Sequence, residues 1–213
     1  MELIEKILSE ENLQKAIRKV KKNKGAPGVD KMTVQEVEEW FNQYKEDLIS
    51  KILNKQYKPM PVKRVYIPKP NGKQRPLGIP TVVDRVIQQA MLQVLNEIYE
   101  PVFSEHSYGF RPNRSAHMAM EEVLSYLSDG YEWIIDLDIE KFFDTVNHDK
   151  LISILRERVN DSKTLHLIRA YLQAGILDKG LVRSSTIGTP QGGPIRYAGH
   201  GIYLDSESLL WGL

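Results

Sequence analysis

Cysteine is absent from the 213 residues, which excludes a disulfide framework and every thiolate-based zinc site. Long apolar runs are absent too. None approaches the roughly 20 residues needed to span a bilayer, and the start Met1-Glu2-Leu3-Ile4-Glu5-Lys6 lacks the apolar stretch of a secretory leader. The expectation is a cytoplasmic protein with no membrane partner. Net charge is nearly absent, at +1, so the total argues for no partner. Locally, one sign of charge is missing. No acid occurs between Asp47 and Asp84, where Lys51, Lys55, Lys58, Lys63, Arg64, Lys69, Lys73 and Arg75 supply eight positive charges. Lys15, Arg18, Lys19, Lys21, Lys22 and Lys24 form a second basic cluster. Such a stripe suits either a polyanion-binding face or a solvated surface balanced by acids elsewhere in the fold.

What is present reads as a mixed α+β chain whose 41% hydrophobic content can fill one core or two lobes sharing one. Leu3, Ile4, Ile7 and Leu8 share a helical face, and Leu13, Ala16, Ile17 and Val20 continue the spacing. Gly25-Ala26-Pro27-Gly28 breaks it. Thr33-Val34-Gln35-Glu36 has the form of a capping box, followed by Val37, Trp40, Phe41, Tyr44 and Leu48 at helical spacing. Two extended runs, Val62 to Ile67 and Gln74 to Ile79, flank a segment containing Asn71-Gly72, a hairpin signature. Prolines at 59, 61, 68, 70, 76 and 80 exclude helix there and suit an exposed arm carrying basic side chains. Thr81 opens a helix too rich in apolar positions, Val82 to Ile98, to lie on the surface. Ser115 to Leu127, 149–158 and 163–173 are predicted helices, and Gly188 to Gly193 a glycine-rich turn.

The run 132–139 is predicted to be a strand, which puts Asp136 and Asp138 on one face, roughly 7 Å apart. Carboxylates ending an apolar strand are costly unless paired, solvated or holding a cation. Magnesium chemistry on phosphates uses one or two such groups, and a strand terminus simply leaving the core uses the same residues. The five histidines, 106, 117, 148, 166 and 200, lack ligand-like spacing and are read as packing or hydrogen-bonding groups.

Four segments supply the wider context: Ile67 to Pro80, Tyr108-Gly109-Phe110-Arg111-Pro112-Asn113-Arg114-Ser115-Ala116-His117, Asp138-Ile139-Glu140-Lys141-Phe142-Phe143-Asp144, and Gly188-Thr189-Pro190-Gln191-Gly192-Gly193-Pro194. With Gly25-Ala26-Pro27-Gly28-Val29-Asp30 ahead of them, they resemble, in order and spacing, the motifs of bacterial group II intron-encoded reverse transcriptases, or maturases. The resemblance implies a right-hand polymerase: a helical extension over 1–60, fingers over 61–130 and a partial palm over 131–213. Helices would pack on a small antiparallel sheet, with a β-hairpin fingers arm. The activity implied is RNA-directed DNA polymerization, assisting intron splicing and mobility, with intron or template RNA, a DNA primer and deoxynucleoside triphosphates as partners.

Residue by residue, the resemblance makes Asp138 the first catalytic aspartate. With the Ile139 carbonyl it would hold Mg2+. Lys69 and Arg75 would grip the incoming triphosphate, Phe143 would block a ribose 2′-hydroxyl, and Gln191 would position the sugar. Lys19, Lys22, Lys63, Arg64, Arg111 and Arg114 would contact nucleic acid. Asp136 has no role in the family pattern. The family's aromatic-Ala-Asp-Asp motif does not occur here; Arg196 to Gly201 departs from the run expected after Ile195, Ile202-Tyr203-Leu204-Asp205 resembles it again, and Ser206 to Leu213 drifts from the pattern. This chain alone is therefore expected to be inactive, with an uncovered apolar face that favours self-association. The alternatives are a non-catalytic RNA-binding fragment, or a retron, diversity-generating or CRISPR-associated reverse transcriptase.

Overall fold

The structure, a computed structural model, describes residues 2–68, 70, 72–137, 139 and 142–189. Its organizing element is α4, Val82–Tyr99, with Val82, Val86, Ile87, Ala90, Met91 and Leu95 all buried. Those positions cover more than one face, so neighbours must enclose the helix. The amphipathic helix α2, Glu10–Lys22, packs along it through Leu13, Ala16, Ile17 and Val20, and α1, Leu3–Ile7, adds Ile4 and Ile7. Helix α3, Val37–Leu53, contributes Val37, Phe41, Leu48 and Ile52 to the same core. Two later helices, α7 (His148–Arg156) and α8 (Ser162–Leu172), close it.

Caps explain the helix starts. The Thr81 hydroxyl accepts the Asp84 amide at the head of α4, and the Ser115 hydroxyl accepts the Met118 amide at the head of α5, Ala116–Ser128. The predicted box at 33–36 forms only in part. Glu36 reaches back to the Thr33 amide at 2.7 Å, but the Thr33 hydroxyl donates to that same carboxylate, and the helix begins at Val37. Asp161 caps α8 and also accepts the Ile4 amide at 2.7 Å, tying the first helix to the last.

The hairpin forms as predicted, with β1 (Val62–Pro68) antiparallel to β2 (Gln74–Ile79). Two short strands, β3 (Ile176–Asp178) and β4 (Leu181–Arg183), complete a sheet of order β2-β1-β3-β4. Because β1 and β3 run parallel, the sheet is mixed rather than wholly antiparallel.

The strand predicted over 132–139 is a correction. Residues 131–137 join no sheet, and Trp133, Ile135 and Leu137 are 94%, 84% and 88% exposed. The residue pattern suits a strand, but a strand needs a ladder partner, and no described segment lies alongside. Helix α5 shares this condition. None of its residues is buried, and Met120, Val123, Leu124 and Leu127 form an uncovered apolar stripe. A short helix α6, Phe142–Thr145, links this region to α7.

Candidate nucleotide and nucleic-acid interface

Residues directly opposed across an antiparallel pair share a face of the sheet. The β1–β2 register pairs Lys63 with Ile79, Val65 with Leu77 and Ile67 with Arg75, so Lys63 and Arg75 project from one face. Arg64 lies on the other, with Tyr66, whose hydroxyl donates to Asp178 on β3 at 3.0 Å. Arg64 Nε is buried without a hydrogen-bond partner. The hairpin thus splits its cations between two faces. Lys69, the remaining member of the predicted triphosphate grip, lies outside the described residues, as do Asp138 and Gln191.

The arm is anchored at its root by a buried carboxylate. Asp84, 1% exposed, accepts the Tyr57 hydroxyl at 2.6 Å, the Thr81 hydroxyl at 2.7 Å and the Met60 amide at 3.3 Å. Burial raises its pKa above the ordinary carboxylate value, and these donors hold it back only in part. Burial likewise pushes up the phenols of Tyr57 and Tyr171, whose rings lie 6.4 Å apart. The segment entering β1 is thereby bonded to the first turn of α4.

A second feature joins α6 to the glycine turn. Phe143 is half-buried, its ring edge-on to Phe142 at 5.3 Å. Its carbonyl accepts the Thr189 amide at 2.7 Å, and the Val146 carbonyl accepts the Gly188 amide at 2.8 Å. Gly188 has φ +80°, and a Cβ there would stand 2.8 Å from the Asp144 carbonyl oxygen, so only glycine fits. The Ile139 carbonyl accepts a long bond of 3.4 Å from the Phe142 amide. Among the described residues no three carboxylate, imidazole or thiol groups gather as a metal site. The donors seen here do not make a complete magnesium site.

Two of the remaining predicted cations border a cavity of about 530 Å³ between α2, α4 and residues 110–112. Lys19 and Arg111 line it, together with Asn23, Arg85, Gln89 and Asn96. Lys22 is exposed on α2 outside this lining, and the Arg114 guanidinium lies over the Tyr108 ring at 5.4 Å. Arg111 is not a free phosphate grip. Its side chain is only 7% exposed, its guanidinium bonds Glu100 Oε1 and the carbonyls of Glu100, Ser104 and Ser107, and it lies over the Phe103 ring. These bonds hold the 100–111 loop in shape.

Arg85 is the residue the sequence reading missed. Burial lowers its pKa, and it donates to the Ala26 carbonyl at 2.7 Å. This fastens the 25–30 loop to α4, where a Cβ on Gly28 would meet the Thr81 backbone at 2.7 Å. The available signal was a polar line, Arg85, Gln89 and Asn96, along a helix rich in apolar positions.

Comparison with known proteins gives the family and the fold. Residues 67–196 match the family model for reverse transcriptase (RNA-dependent DNA polymerase). Protein YkfC of Escherichia coli (strain K12) is 41% identical over 199 residues, covering 91% of this chain and 52% of YkfC. The group II intron-encoded protein LtrA of Lactococcus lactis subsp. cremoris is 39% identical over 184 residues, covering 85% of this chain and 30% of LtrA. The chain thus spans about half the length of the first of these relatives and under a third of the second. A solved partial Cas6-RT-Cas1--Cas2 complex superposes with a TM-score of 0.64 at 24% identity, covering 97% of this chain and 34% of that one, a likeness of fold. No described helix is long and apolar enough to cross a membrane.

Proposed function

The chain belongs to the reverse transcriptase (RNA-dependent DNA polymerase) family, and from that membership we propose that it supplies the fingers and first half of the palm of a group II intron-type enzyme. The assignment is a helical extension at 1–60, fingers at 61–130 and partial palm at 131–213. The observation that carries the reading is the hairpin register, which sets Lys63 and Arg75 on one face of an arm free of acids. A guanidinium offers phosphate a two-pronged fork and an ammonium a compact point charge, and phosphoryl transfer depends mainly on such positioning and neutralization. Arg75 with Lys69 would hold the triphosphate. Phe143, fixed to the glycine turn, would screen the sugar's 2′ position, and Gln191 would seat the sugar. Asp138 and the Ile139 carbonyl would contribute to a metal site whose other ligands come from further residues. Lys19, Lys22, Lys63, Arg64 and Arg114 would meet RNA template and primer, and Arg111 would shape the loop beside them. Polymerization, with its RNA, primer and nucleotide partners, is proposed for this chain together with the additional length its relatives possess.

A second reading, an RNA-binding fragment without catalysis, is favoured by the cavity at Lys19, Asn23 and Arg85, which stands apart from the arm's residues. Template–primer binding in a salt series, paired with primer extension, tests both. The proposed function expects affinity that falls steeply with salt and drops about tenfold in a Lys63→Ala, Arg75→Ala double variant, and no incorporation by this chain by itself. Binding indifferent to salt and to both substitutions sinks it. Incorporation by the isolated chain sinks the need for further residues. RNA binding that survives the double variant but is lost in Arg85→Ala favours the second reading.

A further inference from the structure

Of the described histidines, His148 alone is buried, at 5% exposure in the first turn of α7. Its Nε2 stands 2.6 Å from the carbonyl oxygen of Gly188, forty residues away. A carbonyl can only accept, so Nε2 carries the proton and donates. It joins three other bonds between the same two segments, one of them a long 3.4 Å bond from the Thr189 hydroxyl to the Phe143 carbonyl. The Gly188 amide donates to the Val146 carbonyl at 2.8 Å and the Thr189 amide to the Phe143 carbonyl at 2.7 Å. Gly188 sits so close to the Asp144 and Phe143 carbonyls that no Cβ would fit. The two backbone bonds leave the Gly188 carbonyl buried, and the imidazole is what satisfies it. A buried carbonyl stripped of its donor is destabilised, which favours a shift of the turn away from α6.

We propose that His148 is a positioning residue for sugar selection. Its Nε2–H locks the 187–189 turn onto the Phe143-to-Val146 turn, so that the Phe143 ring and the 187–189 turn keep a fixed spacing. The inference rests on the reading of Phe143 as the residue that screens the 2′ position. His148 touches no nucleotide and acts through the backbone that carries Phe143. Nothing in its spacing along the sequence singles it out, because the partner is a main-chain oxygen.

Three variants separate bond from bulk. His148→Gln keeps a side-chain N–H donor, His148→Phe keeps volume without a donor, and His148→Ala keeps neither. On the full chain with an RNA template and DNA primer, the ratio of dTTP to UTP affinity is measured, along with hydrogen exchange of the Gly188 and Thr189 amides. The expected result is a ratio about tenfold lower in His148→Phe and His148→Ala, recovered in His148→Gln, with amide exchange faster by about the same factor in the first two. A His148→Phe variant with the wild-type ratio and wild-type exchange overturns the proposal, as does a wild-type chain that binds dTTP and UTP equally. Phe143→Ala serves as the control for the underlying reading. If it leaves the ratio intact while His148→Phe still speeds exchange at 188 and 189, the lock stands and the role of Phe143 as the screen falls.

Discussion

Removing the Asp84 carboxylate should loosen the arm at its root. Asp84→Ala strips the acceptor from the Tyr57 hydroxyl and the Met60 amide, and takes away the group to which the Thr81 hydroxyl donates. The Thr81 hydroxyl still accepts the residue-84 amide, so the helix cap survives, and the loss falls on the link to residues 57–60. Leaving buried donors unpaired costs about 1–3 kcal/mol each, and breaking a buried charged network about 3–5 kcal/mol in all. For a chain of this size each kcal/mol moves Tm by about 2–4 °C, which gives a fall of about 10 °C. Thermal unfolding followed by circular dichroism reads it directly. The pH dependence adds an independent check. Burial holds the folded pKa of Asp84 above the unfolded value near 3.8, so the native state keeps that proton longer. Its contribution is therefore fully present below 3.8 and declines as pH rises through the folded pKa. Asp84→Asn, which cannot titrate, should lose this slope between acid and neutral pH. An Asp84→Ala protein melting within about 2 °C of wild type, or a wild-type minus Asp84→Asn difference flat with pH, would refute the reasoning.

Asp161 should behave with the opposite sign. Burial raises its pKa, but the Thr164 hydroxyl and the Ile4, Lys163 and Thr164 amides outweigh that and leave it lowered. Its stabilization is present above the unfolded pKa and is lost as pH falls through the folded one, so wild type and Asp161→Ala should differ by about 2–3 kcal/mol at neutral pH and converge in acid; urea unfolding at several pH values checks this. The uncovered stripe on α5 predicts concentration-dependent self-association, reduced by Leu124→Glu at a stability cost within about 0.5 kcal/mol because that side chain is already exposed. Light scattering showing a wild-type monomer at every concentration would count against the stripe as a sticky surface.

The elements that could be read from residues alone are those decided within a turn or two of chain. The heptad-like spacing of Leu13, Ala16, Ile17 and Val20 and the Asn71-Gly72 turn needed no distant partner, and α2 and the hairpin appear where expected. Residues 132–137 failed because β propensity does not say what lies alongside, whereas Ile176 to Asp178, unremarked in the sequence, gained strand structure by finding β1. The site divides in the same way. The common face of Lys63 and Arg75 follows from strand alternation once the register is known. The commitment of Arg111 to Glu100 and three carbonyls, the fastening of Ala26 by Arg85 and the Gly188 carbonyl beneath His148 depend on main-chain atoms that no residue pattern displays.

The sheet's unequal pairing has a mechanical side. β1 is paired on both edges only at Lys63; Val62 pairs with β3 alone, and Arg64 to Pro68 pair with β2 alone. The hairpin is thus a cantilever clamped at its base. Beyond the Tyr66–Asp178 bond the only partner of β1 among the described residues is β2, so its stiffness should drop and thermal bending grow toward the end that carries Arg75. A charge on such a beam can follow an anion as it enters and leaves, while the clamp at Lys63 keeps the beam's root still.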